Sequence, residues 1–115
     1  MKTITVYEKP TCTTCRKLAK WFEETGIDYR KVNYYIEPLT EEKLKELLKK
    51  ANLRPFDVLR KNEQAFKDSG ITEQTPDDEV IKAIIANPDL LQRPIVEVED
   101  KAVLARPIEK VQEIL

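Results

Sequence analysis

The sequence predicts an α/β fold built on a four-stranded mixed sheet, and three observations predict it. Residues 4–34 show strand, helix and strand patterns in succession, within the roughly 35 residues of a βαβ crossover, so the first two strands run parallel. Residues 95–105 hold two short apolar runs around an acidic two-residue turn, Glu99-Asp100, which reads as an antiparallel hairpin. Between these halves, over about residues 38–92, the apolar residues recur at helical spacing.

Each element has its own justification. Ile4 and Val6 alternate with Thr3, Thr5 and Tyr7 in a short buried strand, which Pro10 ends because proline cannot donate to a sheet ladder. Cys15, Leu18, Ala19 and Phe22 then mark one helix face, with Gly26 as its C-terminal stop. Residues 27–34 alternate as a second strand. Thr40 caps the next helix, Leu39 and Leu44 are spaced as a hydrophobic staple, and Leu44, Leu47, Leu48 and Ala51 form its buried stripe. The charges from Glu41 to Lys50 make its solvated face. Shorter helical pieces follow over 52–74, interrupted at Pro55 and stopped at Ser69-Gly70. Thr75-Pro76-Asp77-Asp78 starts another helix, with Pro76 at its first helical position, and Val80, Ile81, Ile84 and Ile85 face inward. Asn87-Pro88 ends it. Ile95–Val98 and Lys101–Ala105 are the hairpin strands. Pro107 opens a last helix with Ile108, Val111, Ile114 and Leu115 inward. The order β-α-β, helical insert, β-β-α is a thioredoxin-like plan.

Composition narrows the function classes. A chain of 115 residues is expected to form a single domain, residues 1–115, with one core. Charged residues make up 36% and hydrophobic ones 41%, the profile of a soluble globular protein. A net charge of −1 gives no electrostatic case for nucleic acid or an anionic membrane. No apolar run approaches the roughly 20 residues of a membrane span. Only two glycines occur, which excludes a Gly-rich phosphate loop. The expected protein is cytoplasmic, and with no large apolar patch among its exposed-looking residues it is expected to be a monomer.

The chemistry centres on the corner Lys9-Pro10-Thr11-Cys12-Thr13-Thr14-Cys15. Cys12 falls at the mouth of the first helix and Cys15 one turn inside, on the core side. A helix N-terminus favours thiolate, the nucleophilic form, so Cys12 is the attacking candidate and Cys15 is placed to close a disulfide behind it. A Cys-x-x-Cys pair between a strand and a helix is a strong redox signal. With no histidine and no second cysteine pair, a zinc site is disfavoured and no metal is expected. Three arginines stand apart from the charge background: Arg60 at a helix end, Arg93 before Pro94, and Arg106 before Pro107. Arg93 and Arg106 flank the hairpin, which brings them near each other. A planar guanidinium suits a tetrahedral oxyanion.

The chain resembles the glutaredoxin-coupled arsenate reductase family, which also contains the Spx regulators. The resemblance runs through Tyr7-x-x-Pro10-x-Cys12, Leu59-Arg60-Lys61-Asn62, Asn87-Pro88, Arg93-Pro94-Ile95-Val96 and Ala105-Arg106-Pro107 with Glu109 and Val111. It implies that Cys12 is the nucleophile, that Arg60, Arg93 and Arg106 bind the oxyanion, and that the Arg93–Pro94 bond is cis. It implies no bound cofactor, with glutathione, glutaredoxin or thioredoxin as reductant. Two positions depart from the pattern. Glu8 stands where these reductases commonly have histidine, and a carboxylate close to the nucleophile would raise its pKa. Activation of Cys12 is therefore assigned to the helix terminus, Arg16, Lys17 and the three arginines. Cys15 is the second departure, since glutathione-dependent members usually lack it and Spx-type members have it as a switch.

Three functions remain open on these residues. One is a reductase of arsenate or a similar oxyanion, with Cys15 or glutathione resolving the Cys12 adduct. Another is a redox-sensing regulator of the Spx type that binds RNA polymerase. The third is a general thiol–disulfide oxidoreductase whose arginines serve the scaffold or bind glutathione carboxylates.

Overall fold

β1 (Ile4–Glu8) is the strand from which the sheet extends on both sides in the computed structural model, which describes residues 2–115. It pairs in parallel with β2 (Arg30–Asn33) and antiparallel with β3 (Ile95–Val98), and β3 pairs antiparallel with β4 (Lys101–Leu104). The sheet order is β2-β1-β3-β4, a four-stranded mixed sheet. Four α-helices are described: α1 (Thr13–Thr25), α2 (Glu41–Ala51), α3 (Gln64–Ser69) and α4 (Asp77–Ala86). Two 3-10 turns, Pro55–Val58 and Pro88–Leu90, complete the segment between β2 and β3.

Alternation along the strands divides the core into two halves. On one face Ile4, Val6, Val96 and Val98 pack with Leu18 and Phe22 of α1 and with Val111. On the other, Tyr7, Val32, Ile95 and Ala102 meet Leu44, Leu47 and Leu48 of α2 and Val80, Ile81 and Ile84 of α4. The helical insert is therefore the second cover of the sheet rather than an appendage. Every residue of β3 is buried, as a central strand covered on both faces requires. Its one charged residue, Glu97, accepts from the Tyr7 hydroxyl at 2.9 Å and from Lys43 and Lys50 of α2, which satisfies a carboxylate on a mostly apolar face.

Local chemistry sets the helix ends. Thr40 Oγ1 accepts the Lys43 N–H at 3.0 Å as the cap of α2. Gly26 ends α1 at φ 71°, a left-handed conformation that glycine takes without a Cβ clash. Several expected bounds move. The second strand begins only at Arg30, and the fourth ends at Leu104. Pro76 is the cap residue of α4, with an extended ψ of 142°, so the helix starts at Asp77 instead of at the proline. The last helix is a 3-10 helix, Ile108–Glu113, and Leu115 is exposed rather than inward. Its i to i+3 bonds, Lys110 N–H to Pro107 O and Ile114 N–H to Val111 O, fit a stretch too short to nucleate a stable α-helix.

Phe22 is fully buried and stacks on Tyr29 with ring centroids 4.4 Å apart. Phe22→Ala is expected to cost about 3–5 kcal/mol in a urea unfolding experiment, by removing transfer energy and leaving a cavity. Ile36→Ala, at a site 77% exposed, is expected to stay within about 0.5 kcal/mol.

Candidate redox site

Cys12 is the N-cap residue of α1, with φ −76° and ψ 127°, and its Sγ accepts the backbone N–H of Cys15 at 3.4 Å. This contact takes the place of the usual oxygen cap and aims one of the orphan amides of the first turn at the sulfur. Cys12 is half-buried and Cys15 is buried, and both thiols are free. The two are held in opposite states. Burial alone would push Cys12 up, but the neighbouring Cys15, Arg93 and Thr14 donors favour its thiolate and bring it below an ordinary thiol. Burial, the neighbouring Cys12 sulfur and the Glu8 charge push Cys15 up to about 12.

Arg93 is the cation beside Cys12, although it is only 6% exposed. Its Nη1 donates to Leu91 O at 3.3 Å, to Tyr35 Oη at 3.4 Å and to Tyr34 Oη at 3.5 Å. Tyr35 in turn donates to Asp89. The Arg93–Pro94 and Arg106–Pro107 bonds are both cis. Arg106 Nη1 donates to the Arg93 carbonyl at 3.0 Å, which ties the two ends of the hairpin together. Arg60 reaches the same region through a bridge between Leu59 and Leu91, with Arg60 N–H to Leu90 O and Gln92 N–H to Val58 O both at 2.8 Å. Its Nη2 is paired with Glu63 at 2.8 Å. Arg60, Lys61, Asn62, Gln92 and Arg106 line a hollow of about 270 Å³.

The three arginines are thus linked in sequence. Arg93 favours the Cys12 thiolate, Arg106 holds the Arg93 carbonyl, and Arg60 shares a hollow with Arg106. Arg16 and Lys17 do not act as expected: both are exposed, and neither is among the main influences on Cys12. Both side chains end in solvent, where water screens their charge from the cap sulfur. Tyr34, Tyr35, Asp89 and Gln92 complete the site without having been expected there. The Tyr34-Tyr35 pair at the end of β2 was their one visible signal, and it gives no hint of a guanidinium.

Glu8 is 4% exposed, and its Oε1 has no hydrogen-bond partner. Burial raises its pKa, and Lys31 opposes that rise. Its charge bears on Cys15, while the leading influences on Cys12 do not include it. The expected conflict between Glu8 and the nucleophile is therefore displaced onto the second thiol.

The family model for ArsC matches residues 7–114. The chain belongs to the ArsC family. The arsenate reductase structure from Vibrio cholerae is 30% identical, covers 98% of each chain and superposes with a TM-score of 0.92. Global transcriptional regulator Spx 1 of Bacillus cereus is 33% identical over 94 residues, 81% of this chain and 72% of its own. Uncharacterized protein YfgD of Escherichia coli is 30% identical over 99% of this chain and 98% of its own. The ArsC family therefore joins reductases and regulators at similar distance from this chain. Among the described residues no helix is long and apolar enough to cross a membrane.

A buried carboxylate with a raised pKa binds protons more readily folded than unfolded. Its ionisation therefore costs stability at pH values above its folded pKa, and that cost is absent below its unfolded pKa. Glu8→Gln is expected to raise the melting temperature at neutral pH, with the gain disappearing as pH falls through the ordinary carboxylate range. A loss of stability at every pH would contradict this.

Proposed function

We propose that this ArsC-family chain is a thiol oxidoreductase that reduces arsenate or a similar oxyanion. The observation that carries the reading is the opposed pair of thiols: Cys12 lowered at a helix cap beside Arg93, and Cys15 raised and buried behind it. Cys12 thiolate attacks arsenic, and water leaves from the protonated oxyanion. Charge on the remaining oxygens is met by Arg93, Arg106 and Arg60, whose guanidinium groups accept no proton and keep their charge throughout. Cys15, or glutathione in its place, then attacks Cys12 Sγ. The S–As bond breaks, its electron pair reduces arsenic, and arsenite departs from a disulfide. Thioredoxin or glutaredoxin resets the pair, which places the protein in a reducing, cytoplasmic setting. Ile36 and Leu115 are the exposed large apolar side chains among the described residues, which favours a monomer.

A second reading is a redox switch of the Spx type with RNA polymerase as its partner. The similarity to the Spx regulator and the closable Cys12–Cys15 pair favour it.

Fully reduced protein mixed with arsenate, without glutathione, is expected to yield one arsenite for every two thiols lost. Arg60→Ala and Arg106→Ala are each expected to slow that turnover by about a hundredfold, as removal of an oxyanion donor does elsewhere. Equal turnover in these variants would contradict oxyanion binding by the arginines. If arsenite forms neither alone nor with glutathione and glutaredoxin, the reductase reading fails, and co-purification of RNA polymerase with the oxidised chain tests the switch.

A further inference from the structure

Ile4, Val6 and Glu8 alternate along one face of β1, and the first two pack against Leu18 and Phe22 of α1. The buried stripe of that helix begins at Cys15. In a βα unit the helix returns along the strand it follows, so the last residue of the strand row meets the first of the helix stripe. Glu8 and Cys15 therefore share one buried patch, and the Glu8 charge is felt at Cys15. Glu8 Oε1 is the one fully buried side-chain polar atom among the described residues without a hydrogen-bond partner, which leaves an acceptor free inside that patch.

The other groups around it are few. From β2, Asn33 stands beside Glu8 in the parallel register with its Oδ1 taken by the Tyr35 N–H, and Lys31 supplies a positive charge. From α1 come the titratable Cys12 and Cys15, and the Tyr7–Ile95 register sets Glu8 level with Pro94, next to the buried cation Arg93. In the reduced protein the nearest thiolate to the Cys15 thiol is Cys12 Sγ, which accepts the Cys15 backbone N–H at 3.4 Å. Once Cys12 carries an adduct, that sulfur is no longer a thiolate able to hold the proton. Cys15 must nevertheless lose its proton to attack, since thiolate is the nucleophile.

We propose that Glu8 is the proton acceptor for Cys15 in the resolving step, an assignment that rests on Cys12 as nucleophile and Cys15 as resolving thiol. Cys15 Sγ forms the bond to Cys12 Sγ, the bond from Cys12 to its adduct breaks, the adduct leaves with that electron pair, and the Cys15 proton passes to the Glu8 carboxylate. The two sulfurs are oxidised to a disulfide and the departing group is reduced. A carboxylate in this buried position is a stronger base than one in water, which suits the transfer.

The step can be isolated with dithiobis(nitrobenzoate), which needs no arginine site. Attack by Cys12 releases a first thionitrobenzoate, and displacement by Cys15 releases a second, so absorbance resolves the two steps. In Glu8→Gln the ratio of second-step to first-step rate constants is expected to fall by about a hundredfold at neutral pH, the size of a lost general base. The remaining second step is expected to rise in proportion to hydroxide, where the native chain gives a flatter profile. Glu8→Asp, which keeps a carboxylate, is expected to retain the flatter profile at reduced rate. A native rate ratio and pH slope in Glu8→Gln would overturn the proposal, as would equal losses in both steps or a hydroxide-proportional second step in Glu8→Asp. If the native chain itself releases no second thionitrobenzoate, the Cys12–Cys15 assignment fails instead, and the proton transfer with it.

Discussion

The hydrogen bond from the Cys15 backbone N–H to Cys12 Sγ, 3.4 Å long, is the contact on which the chemistry of this chain depends. It exists because β1 ends and α1 begins within a few residues, with the Lys9 carbonyl accepting the Cys12 N–H at 3.0 Å to close the corner. That corner makes Cys12 a cap and Cys15 a core residue, so burial raises the Cys15 thiol while donors around Cys12 lower its own. Neither thiol would be so placed on an exposed loop, where water would solvate both alike.

The rest of the fold brings positive charge to this corner. Arg93 lies at the entrance to β3, a strand buried on both faces, and is surrounded by a carbonyl and two phenols rather than by a carboxylate. A direct ion pair would neutralise it, whereas these neutral acceptors leave its charge available to Cys12. The helical insert contributes from the far side. The bridge between Leu59 and Leu91 fixes the Arg60 loop against the segment that leads into Arg93, and the packing of α2 and α4 on the sheet holds that segment down. A change in the insert can therefore act on the redox corner without touching a cysteine.

Much of this arrangement was legible in the sequence because it follows from short-range pattern. The alternation of Ile4 and Val6, the i, i+3, i+4, i+7 spacing from Cys15 to Phe22, and Thr40 as a cap each depend on a few neighbouring residues. The ArsC membership was legible from motifs spread over the chain and is matched over residues 7–114. What pattern could not give was the choice among long-range partners. Arg16 and Lys17 are nearest to Cys12 along the chain, yet Arg93 reaches it through tertiary packing. Tyr34 and Tyr35 look like ordinary strand-end aromatics until the insert folds Leu91 and Asp89 against them. Glu8 shows the same limit: its residue type departs from the family pattern, but only the folded chain shows its side chain buried and its charge acting on Cys15.

The central claim is that the fold divides two chemically identical thiols into a nucleophile and a buried partner. A pH titration of the cysteine β-carbon chemical shifts of the reduced, uniformly labelled protein tests it most directly. The account requires Cys12 to ionise below the range of a free thiol, about 8.5, while Cys15 stays protonated until about 12. Two cysteines ionising together near the free-thiol value would contradict it, since neither the helix cap nor the burial would then be acting on the sulfurs.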